Sequence, residues 1–327
     1  MSNRLRKIGV LTSGGDAPGM NAAIRSVVRS SIFYNCEVVG VYGGYKGLLK
    51  SNFIPMHSDT VSKTINKGGT ILKSSRCPEF LEPQYRAQAV ENMKAAGIDG
   101  LVVIGGDGSF RGANQIYQEF QFPVIGVPGT IDNDIFGTDY TIGFDTAINT
   151  AVEAIDKIRD TADSHNLVFF VEVMGRDAGF IALNTGLAVG AEAIMVPEFD
   201  TPVKKLCDYL INERRNNKSS GVVIVAEGNK SGGAIELAAE VKRRLPQYET
   251  RVSILGHIQR GGSPTCNDRV LASILANAAV KGLLNGQTGV MAGIQNDKVV
   301  YTPLIEVCSH HNTIDKSLHK LAHILSL

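Results

Sequence analysis

Leu101-Val102-Val103-Ile104-Gly105-Gly106-Asp107-Gly108-Ser109 and Val124-Ile125-Gly126-Val127-Pro128-Gly129-Thr130-Ile131-Asp132-Asn133-Asp134 repeat one plan. Each opens on a short apolar run, at 101–104 and 124–127, with no polar alternation. Such runs are expected of strands buried on both faces of a parallel sheet. Each then breaks into glycine, hydroxyl and carboxylate side by side. Glycines let a backbone approach a large polar ligand and offer N–H groups to it. A carboxylate in such a loop suits Mg²⁺ or a general base.

Outward from this stretch, strands and helices alternate. The run at 8–11 leads into Thr12-Ser13-Gly14-Gly15-Asp16-Ala17-Pro18-Gly19, and a helix with apolar residues at helical spacing follows at 20–29. The turn is either a tight strand-to-helix connection or a phosphate cradle at a helix start. It lacks the G-K-[ST] of a P-loop and the G-x-G-x-x-G spacing. Further strands are expected at 37–41, 167–173, 193–196, 222–226 and 251–255, with a hairpin of 289–295 and 299–301 around Asn296-Asp297. Helices are expected at 61–66, 84–96, 112–120, 147–159, 202–214, 234–245 and 267–284, with an amphipathic segment at 313–325. Residues 43–47 read as a turn. The strand at 167–173 runs into Gly175-Arg176-Asp177-Ala178, which echoes Gly14-Gly15-Asp16-Ala17 and suggests a duplicated α/β domain. The pattern is that of doubly wound α/β sheets, whose ligands bind at the carboxyl ends of the strands.

The bulk numbers narrow the class. At 327 residues the chain has room for two domains, and a net charge of +1 gives no bias toward nucleic acid or acidic membrane. Five scattered cysteines with no C-x-x-C pair point to a reduced, cytoplasmic protein without structural zinc. No signal region and no membrane span of about 18 apolar residues is present.

Several side chains are candidates for chemistry. Asp132 and Asp134 lie two apart after a buried strand, so one carboxylate can face a reacting hydroxyl and the other a metal; a solvated turn is the plain alternative. Asp107 suits Mg²⁺ beside phosphates, or else an Asx turn. Arg76, Arg176, Arg251 and Arg260 each lie in or beside a proposed loop, where guanidinium groups bind phosphate oxygens bidentately. His257, in a glycine-rich setting, suits a sugar or phosphate contact. His319 and His323 have metal-ligand spacing, although a solvated helix face outweighs that reading. The pairs Lys204-Lys205, Arg214-Arg215 and Arg243-Arg244 read as solvated faces. The loops together suggest a crevice for phosphoryl transfer.

These motifs resemble the bacterial-type ATP-dependent 6-phosphofructokinases over nearly the whole chain. The carriers are residues 11–21, 104–109, 128–134, Val173-Met174-Gly175-Arg176 and Gly256-His257-Ile258-Gln259-Arg260-Gly261-Gly262-Ser263-Pro264. The resemblance implies two doubly wound α/β domains with Rossmann-like parallel sheets. The ATP-binding domain would be 1–142 plus 260–305, and the sugar-phosphate domain 143–259 plus 306–327. It implies transfer from Mg·ATP to the 1-hydroxyl of fructose 6-phosphate, with Asp132 as general base. Arg76, Arg176, Thr130 and Asp134 would complete the catalytic group, with Asp107 at the Mg²⁺. Gly15, Arg76, Cys77, Gly106, Asp107, Gly108 and Ser109 match the ATP site. Thr130, Ile131, Asp132, Met174, Gly175, Arg176, Glu227, Arg251, His257, Ile258, Gln259 and Arg260 match the sugar-phosphate site. Glycine at both 108 and 129 favours ATP, since pyrophosphate-using relatives carry Asp and Lys there. A homotetramer is implied, with no nucleic-acid or membrane partner.

The chain also departs from the family. Leu167 stands where an arginine usually reaches the neighbouring subunit's sugar phosphate. Arg25, Arg29, Arg159, Gly190, Glu192 and Lys218 match an effector site for ADP or phosphoenolpyruvate, but Ser58 and Asn216 replace two of its cations, so weaker control is expected. A pyrophosphate-dependent enzyme and a regulatory subunit without turnover are the alternatives.

Overall fold

The computed structural model describes residues 5–199, 201–215 and 220–325. In chain order the first elements are β1 (Lys7–Thr12), α1 (Met20–Phe33), β2 (Glu37–Val41), α2 (Gly44–Leu49), β3 (Phe53–Pro55), α3 (Pro83–Ala95), β4 (Gly100–Gly105), α4 (Asp107–Phe120) and β5 (Val124–Pro128). Then come α5 (Phe144–His165), β6 (Leu167–Val173), α6 (Phe180–Ala188), β7 (Ala193–Met195), α7 (Val203–Arg215), β8 (Gly221–Ala226), α8 (Ala234–Arg244) and β9 (Glu249–Ile254). The chain finishes with α9 (Cys266–Leu284), β10 (Val290–Gln295), β11 (Lys298–Pro303), α10 (Leu304–Ser309) and α11 (Lys316–Leu325).

The chain divides into two compact units. The first comprises Met1–Thr130, Ile135–Thr146 and Arg260–Asn312. Its sheet has seven strands in the order β11-β10-β5-β4-β1-β2-β3, parallel except at its two edges. From β1 the chain moves out to β2 on one side and returns to β4 on the other, so the switch point lies between β1 and β4. β4 and β5 are buried throughout, as their apolar runs require. Phe110, fully buried one turn into α4, packs on β5, and Gly126 makes room for it: a Cβ there would lie 2.6 Å from the ring. Burying such a ring contributes about 1.5–3 kcal/mol and fixes where α4 starts.

The second unit comprises Ile131–Asp134, Ala147–Gln259 and Thr313–Leu327. Its four strands run β7-β8-β6-β9, all parallel. Phe170, Val223, Val225, Leu237 and Val241 form its core. β9 is an edge strand and largely exposed, with Val252 and Ile254 open to solvent.

Three expectations change. Residues 43–47 are no simple turn: Gly43 and Gly44 have positive φ and feed the short helix α2. Residues 61–66 form turns rather than a helix, because Lys63 is in the left-handed region (φ 56°). α4 begins at Asp107, five residues before the expected start at Gly112, because extended Gly106 caps it and Asp107 sits in its first turn, where a negative charge is favoured. β3 and α10 were not expected. The hairpin turn matches its residues, since Asn296 and Asp297 both have positive φ.

Candidate active site

In the first unit the loops after β1 and β4 meet at the switch point. The Ser13 N–H donates to the Ile104 carbonyl at 3.0 Å, and a Cβ on Gly105 would lie 2.5 Å from the Ser13 carbonyl. β5 continues the arrangement: the Gly129 N–H donates to the Gly105 carbonyl at 2.9 Å, and a Cβ on Gly106 would lie 3.5 Å from Cβ of Thr130. Gly15, Gly106 and Thr130 in these loops therefore adjoin Asp107, Gly108 and Ser109 in the first turn of α4.

The segment at 67–75 is pinned to the same place. Buried Asn21 donates to the Lys67 and Gly68 carbonyls at 3.0 Å and accepts from the Ile71 N–H at 2.7 Å. Thr12 donates to the Lys73 carbonyl at 3.0 Å, and Ser74 donates to the Gly14 carbonyl at 2.6 Å. This anchoring delivers Arg76, which is exposed, and Cys77, whose thiol burial pushes up. Arg260 packs against Gly15 and its Nη1 donates to the Asp16 carbonyl at 3.3 Å.

Asp107 makes a two-point ion pair with Arg111, at 2.9 and 3.3 Å. Starting the helix at Gly112 hid this i,i+4 pair; with the helix begun at Asp107 the spacing announces it. Tyr45, also not anticipated, donates to the Ser109 carbonyl at 2.5 Å and stacks on Phe80 with centroids 4.2 Å apart. Ser109 Oγ is buried in the first turn of α4 with no hydrogen-bond partner among the described residues. The two glycines that the resemblance ties to the choice of donor differ. A Cβ on Gly108 would meet nothing within 4 Å, whereas one on Gly129 would meet Ile104 at 3.1 Å and Met20 at 3.3 Å.

In the second unit, Asp132 is 5% exposed and its Oδ2 lies 3.9 Å from Nε of Arg176. Arg176 sits after β6 with φ 51°, a left-handed backbone that costs a side-chain-bearing residue about 1 kcal/mol. Glu227, just after β8, offsets that cost: one oxygen accepts from the Arg176 N–H at 2.7 Å and the Gly175 N–H at 3.3 Å. Met174 and Gly175 are buried there, Ile131 is fully buried, and Asp134 is half-buried. His257 and Ile258 are exposed on a single 3₁₀ turn at Gly256–Arg260. Gln259 on the same turn is fully buried, its Nε2 donating to the Gly256 carbonyl at 3.2 Å. Arg251 lies within β9, as the strand expected from 251 onward places it, and pairs with Glu249 at 2.5 Å.

Away from these loops, Arg159 donates to the Val189 and Gly190 carbonyls at 2.7 and 3.3 Å and lies 3.6 Å from buried Glu192. Arg25 and Arg29 are one turn apart on α1, where burial and then the Arg29 charge pull Arg25 down. Ser58 is exposed; Asn216 and Lys218 lie outside the described residues. Leu167 is buried in β6. His319 and His323 stack on Phe199 and Tyr209, at 4.5 and 4.8 Å. Among the described residues no helix is long and apolar enough to cross a membrane.

The phosphofructokinase family profile matches residues 7–283. The "ATP-dependent 6-phosphofructokinase 2" of Bacteroides thetaiotaomicron is 53% identical over 320 residues, covering 98% of each chain. The "ATP-dependent 6-phosphofructokinase 1" of Thermus thermophilus is 54% identical over 323 residues, covering 99% of this chain and all of that one. Among solved structures, the phosphofructokinase of Pichia pastoris in the T-state superposes with a TM-score of 0.88 at 38% identity. That match covers 93% of this chain and 35% of the longer yeast one.

Proposed function

The chain belongs to the phosphofructokinase family, and from that membership we propose that it transfers the γ-phosphoryl group of Mg·ATP to the 1-hydroxyl of D-fructose 6-phosphate. The products are fructose 1,6-bisphosphate and ADP, the committed step of glycolysis, in the cytoplasm. One observation carries the assignment of roles: a buried carboxylate, Asp132, directly follows the β5 loop and lies 3.9 Å from the Arg176 guanidinium. Asp132 takes the proton of the 1-hydroxyl as that oxygen forms its bond to the γ-phosphorus. The bond from the γ-phosphorus to the bridging oxygen breaks, and ADP leaves with the electron pair. Arg176 faces the Asp132 carboxylate and, with Arg76, spreads the charge on the transferring group. Thr130 and Asp134 orient the hydroxyl.

Gly15, Cys77 and Gly106 to Ser109 line the nucleotide, and the Ser109 hydroxyl at the start of α4, without a partner among the described residues, suits a phosphate oxygen. Mg²⁺ is held through few carboxylates plus substrate phosphates, so Asp107, an oxygen donor in that first turn, fits it. The ion would neutralise phosphate charge; Arg111 occupies the carboxylate otherwise. The open space at Gly108 supports ATP as donor, because a side chain there would project into room a nucleotide needs. Met174, Gly175, Glu227, Arg251, His257, Ile258, Gln259 and Arg260 bind the sugar phosphate, with Ile131 backing Asp132. The exposed apolar edge at β9 supports a homotetramer, which light scattering on the purified protein tests. Arg25, Arg29 and the cluster of Arg159, Gly190 and Glu192 bind ADP or phosphoenolpyruvate weakly. Effector responses as strong as those of typical bacterial members would overturn that reading.

The deciding measurement is an initial-rate comparison of ATP and pyrophosphate against fructose 6-phosphate and sedoheptulose 7-phosphate. ATP with fructose 6-phosphate should be fastest by kcat/KM. Equal or faster turnover with pyrophosphate would sink the reading.

A further inference from the structure

Among the described residues Asp268 is the most completely enclosed carboxylate of the first unit, at 1% exposure in the first turn of α9, and it pairs with no cation there. A buried charge without a counter-ion persists only where several hydrogen bonds replace its hydration. Asp268 has three. One oxygen accepts from the Gly143 N–H at 2.8 Å; the other accepts from the Thr146 N–H at 2.8 Å and the Thr146 hydroxyl at 2.5 Å. Thr146 Oγ1 in turn accepts from the Thr265 N–H at 3.0 Å, so the start of α5 and the start of α9 share one polar clasp. Burial pushes the Asp268 carboxyl up, and the three donors oppose that shift.

What the clasp holds gives it more than a capping role. Residues just before it carry the loop of Asp132 from behind. The Ile142 N–H donates to the Pro128 carbonyl at 2.9 Å, Ile142 bridges Gly129, and the Thr141 hydroxyl donates to the Thr130 carbonyl at 2.7 Å. Gly143, at φ 107°, is pressed so closely on the nucleotide turn that a Cβ would lie 2.6 Å from Cβ of Ala17. Gly19 is equally close to Ile142, again 2.6 Å. Segment 141–146 is thus wedged between the turn after β1 and the backbone of 128–130, with Asp268 closing it from below.

We propose that Asp268 is a positioning residue for phosphoryl transfer: by gripping Gly143 and Thr146 it sets the height of Thr141 and Ile142, and through them the backbone of Thr130 that leads into Asp132. This rests on the roles given above to Thr130 and Asp132. It makes no contact with substrate. Its loss is felt as a small displacement of the attacking geometry, and a displacement of about 1 Å costs on the order of a hundredfold in rate.

The test is Asp268→Asn, whose amide can accept with one oxygen only and turns a donor toward Gly143 or Thr146. Steady-state kinetics with ATP and fructose 6-phosphate is read beside calorimetric ADP affinity. The proposal expects kcat to fall by about tenfold to a hundredfold, with the ADP Kd changed by no more than about twofold. Thr146→Val removes both hydroxyl bonds of the clasp, the one to Asp268 and the one from Thr265, and should lower kcat in the same sense, whereas Thr146→Ser keeps the hydroxyl and should retain it; this pair decides if Asp268→Asn does not fold. An unchanged kcat in both Asp268→Asn and Thr146→Val overturns the clasp, and so does ADP affinity falling in step with kcat. A wild-type protein inactive with these substrates would instead overturn the functional reading, so the two failures separate.

Discussion

The turn after β1 and the turn after β6 share the pattern Gly-x-Asp-Ala, and both follow an inner strand of a parallel sheet. They use their backbones in opposite ways. In the first, carbonyls are taken: Gly14 accepts from Ser74 and Asp16 from Arg260. Its N–H groups at Gly14, Gly15 and Asp16 have no partner among the described residues. In the second, the N–H groups of Gly175 and Arg176 are taken by Glu227. One turn keeps its donors open, as the proposed anion cradle requires. The other has spent its donors on an internal carboxylate and has become a rigid mount for a guanidinium. A shared motif therefore does not fix a shared task; what occupies the backbone does.

The comparison can be broken at several points. The largest effect is expected at the side chain that Arg176 faces. Asp132→Asn should lower kcat by on the order of a thousandfold while calorimetric ADP affinity stays within about twofold. Retention of full activity would remove Asp132 from the chemistry. Next is Glu227→Ala, which strips the mount of its acceptor. Hydrogen bonds to a charged group contribute about 1.5–3 kcal/mol, so the KM for fructose 6-phosphate should rise by about tenfold to a hundredfold. The KM for ATP should hardly move; an equal rise in both would erase the distinction between the turns.

Gly15→Ala probes the cradle in turn. Its methyl group displaces the Arg260 guanidinium and crowds the free N–H groups, so the KM for ATP should rise about tenfold. An unchanged value would mean that the cradle is no phosphate site. The smallest effect belongs to Gly108→Ala in the first turn of α4. Alanine favours a helix over glycine by up to about 1 kcal/mol, and nothing obstructs the methyl group, so Tm should rise by about 1–2 °C. The ATP KM should still worsen a few-fold.

Much of this arrangement was legible in the chain. The continuous apolar runs at 101–104 and 124–127 announce buried parallel strands, and the glycines after them mark where those strands end. The long, specific motifs carried the family. What stayed hidden depended on partners distant in sequence. Nothing near Arg176 says that Glu227, fifty-one residues on, will close its N–H groups. Asp268 reads as one more polar residue at a helix start until Gly143 and Thr146 are seen to fold onto it. Gly108 and Gly129 look equivalent as letters, yet one borders open space and the other is walled by Ile104 and Met20. The i,i+4 pair of Asp107 and Arg111 was lost for a local reason, since glycine at 106 and 108 disguised where the helix begins.

The seven-stranded sheet is also completed out of order. β5 ends at Pro128, but its neighbour β10 begins only at Val290, after every strand of the second unit. At about 5–20 residues per second of synthesis, the β5 edge emerges from the ribosome on the order of ten to thirty seconds before its partner exists. During that interval a wholly apolar parallel edge is exposed, of the kind that recruits other chains. The late hairpin of β10 and β11 then acts as a seal, and a nascent chain halted before residue 290 should depend on chaperones in a way the finished protein does not.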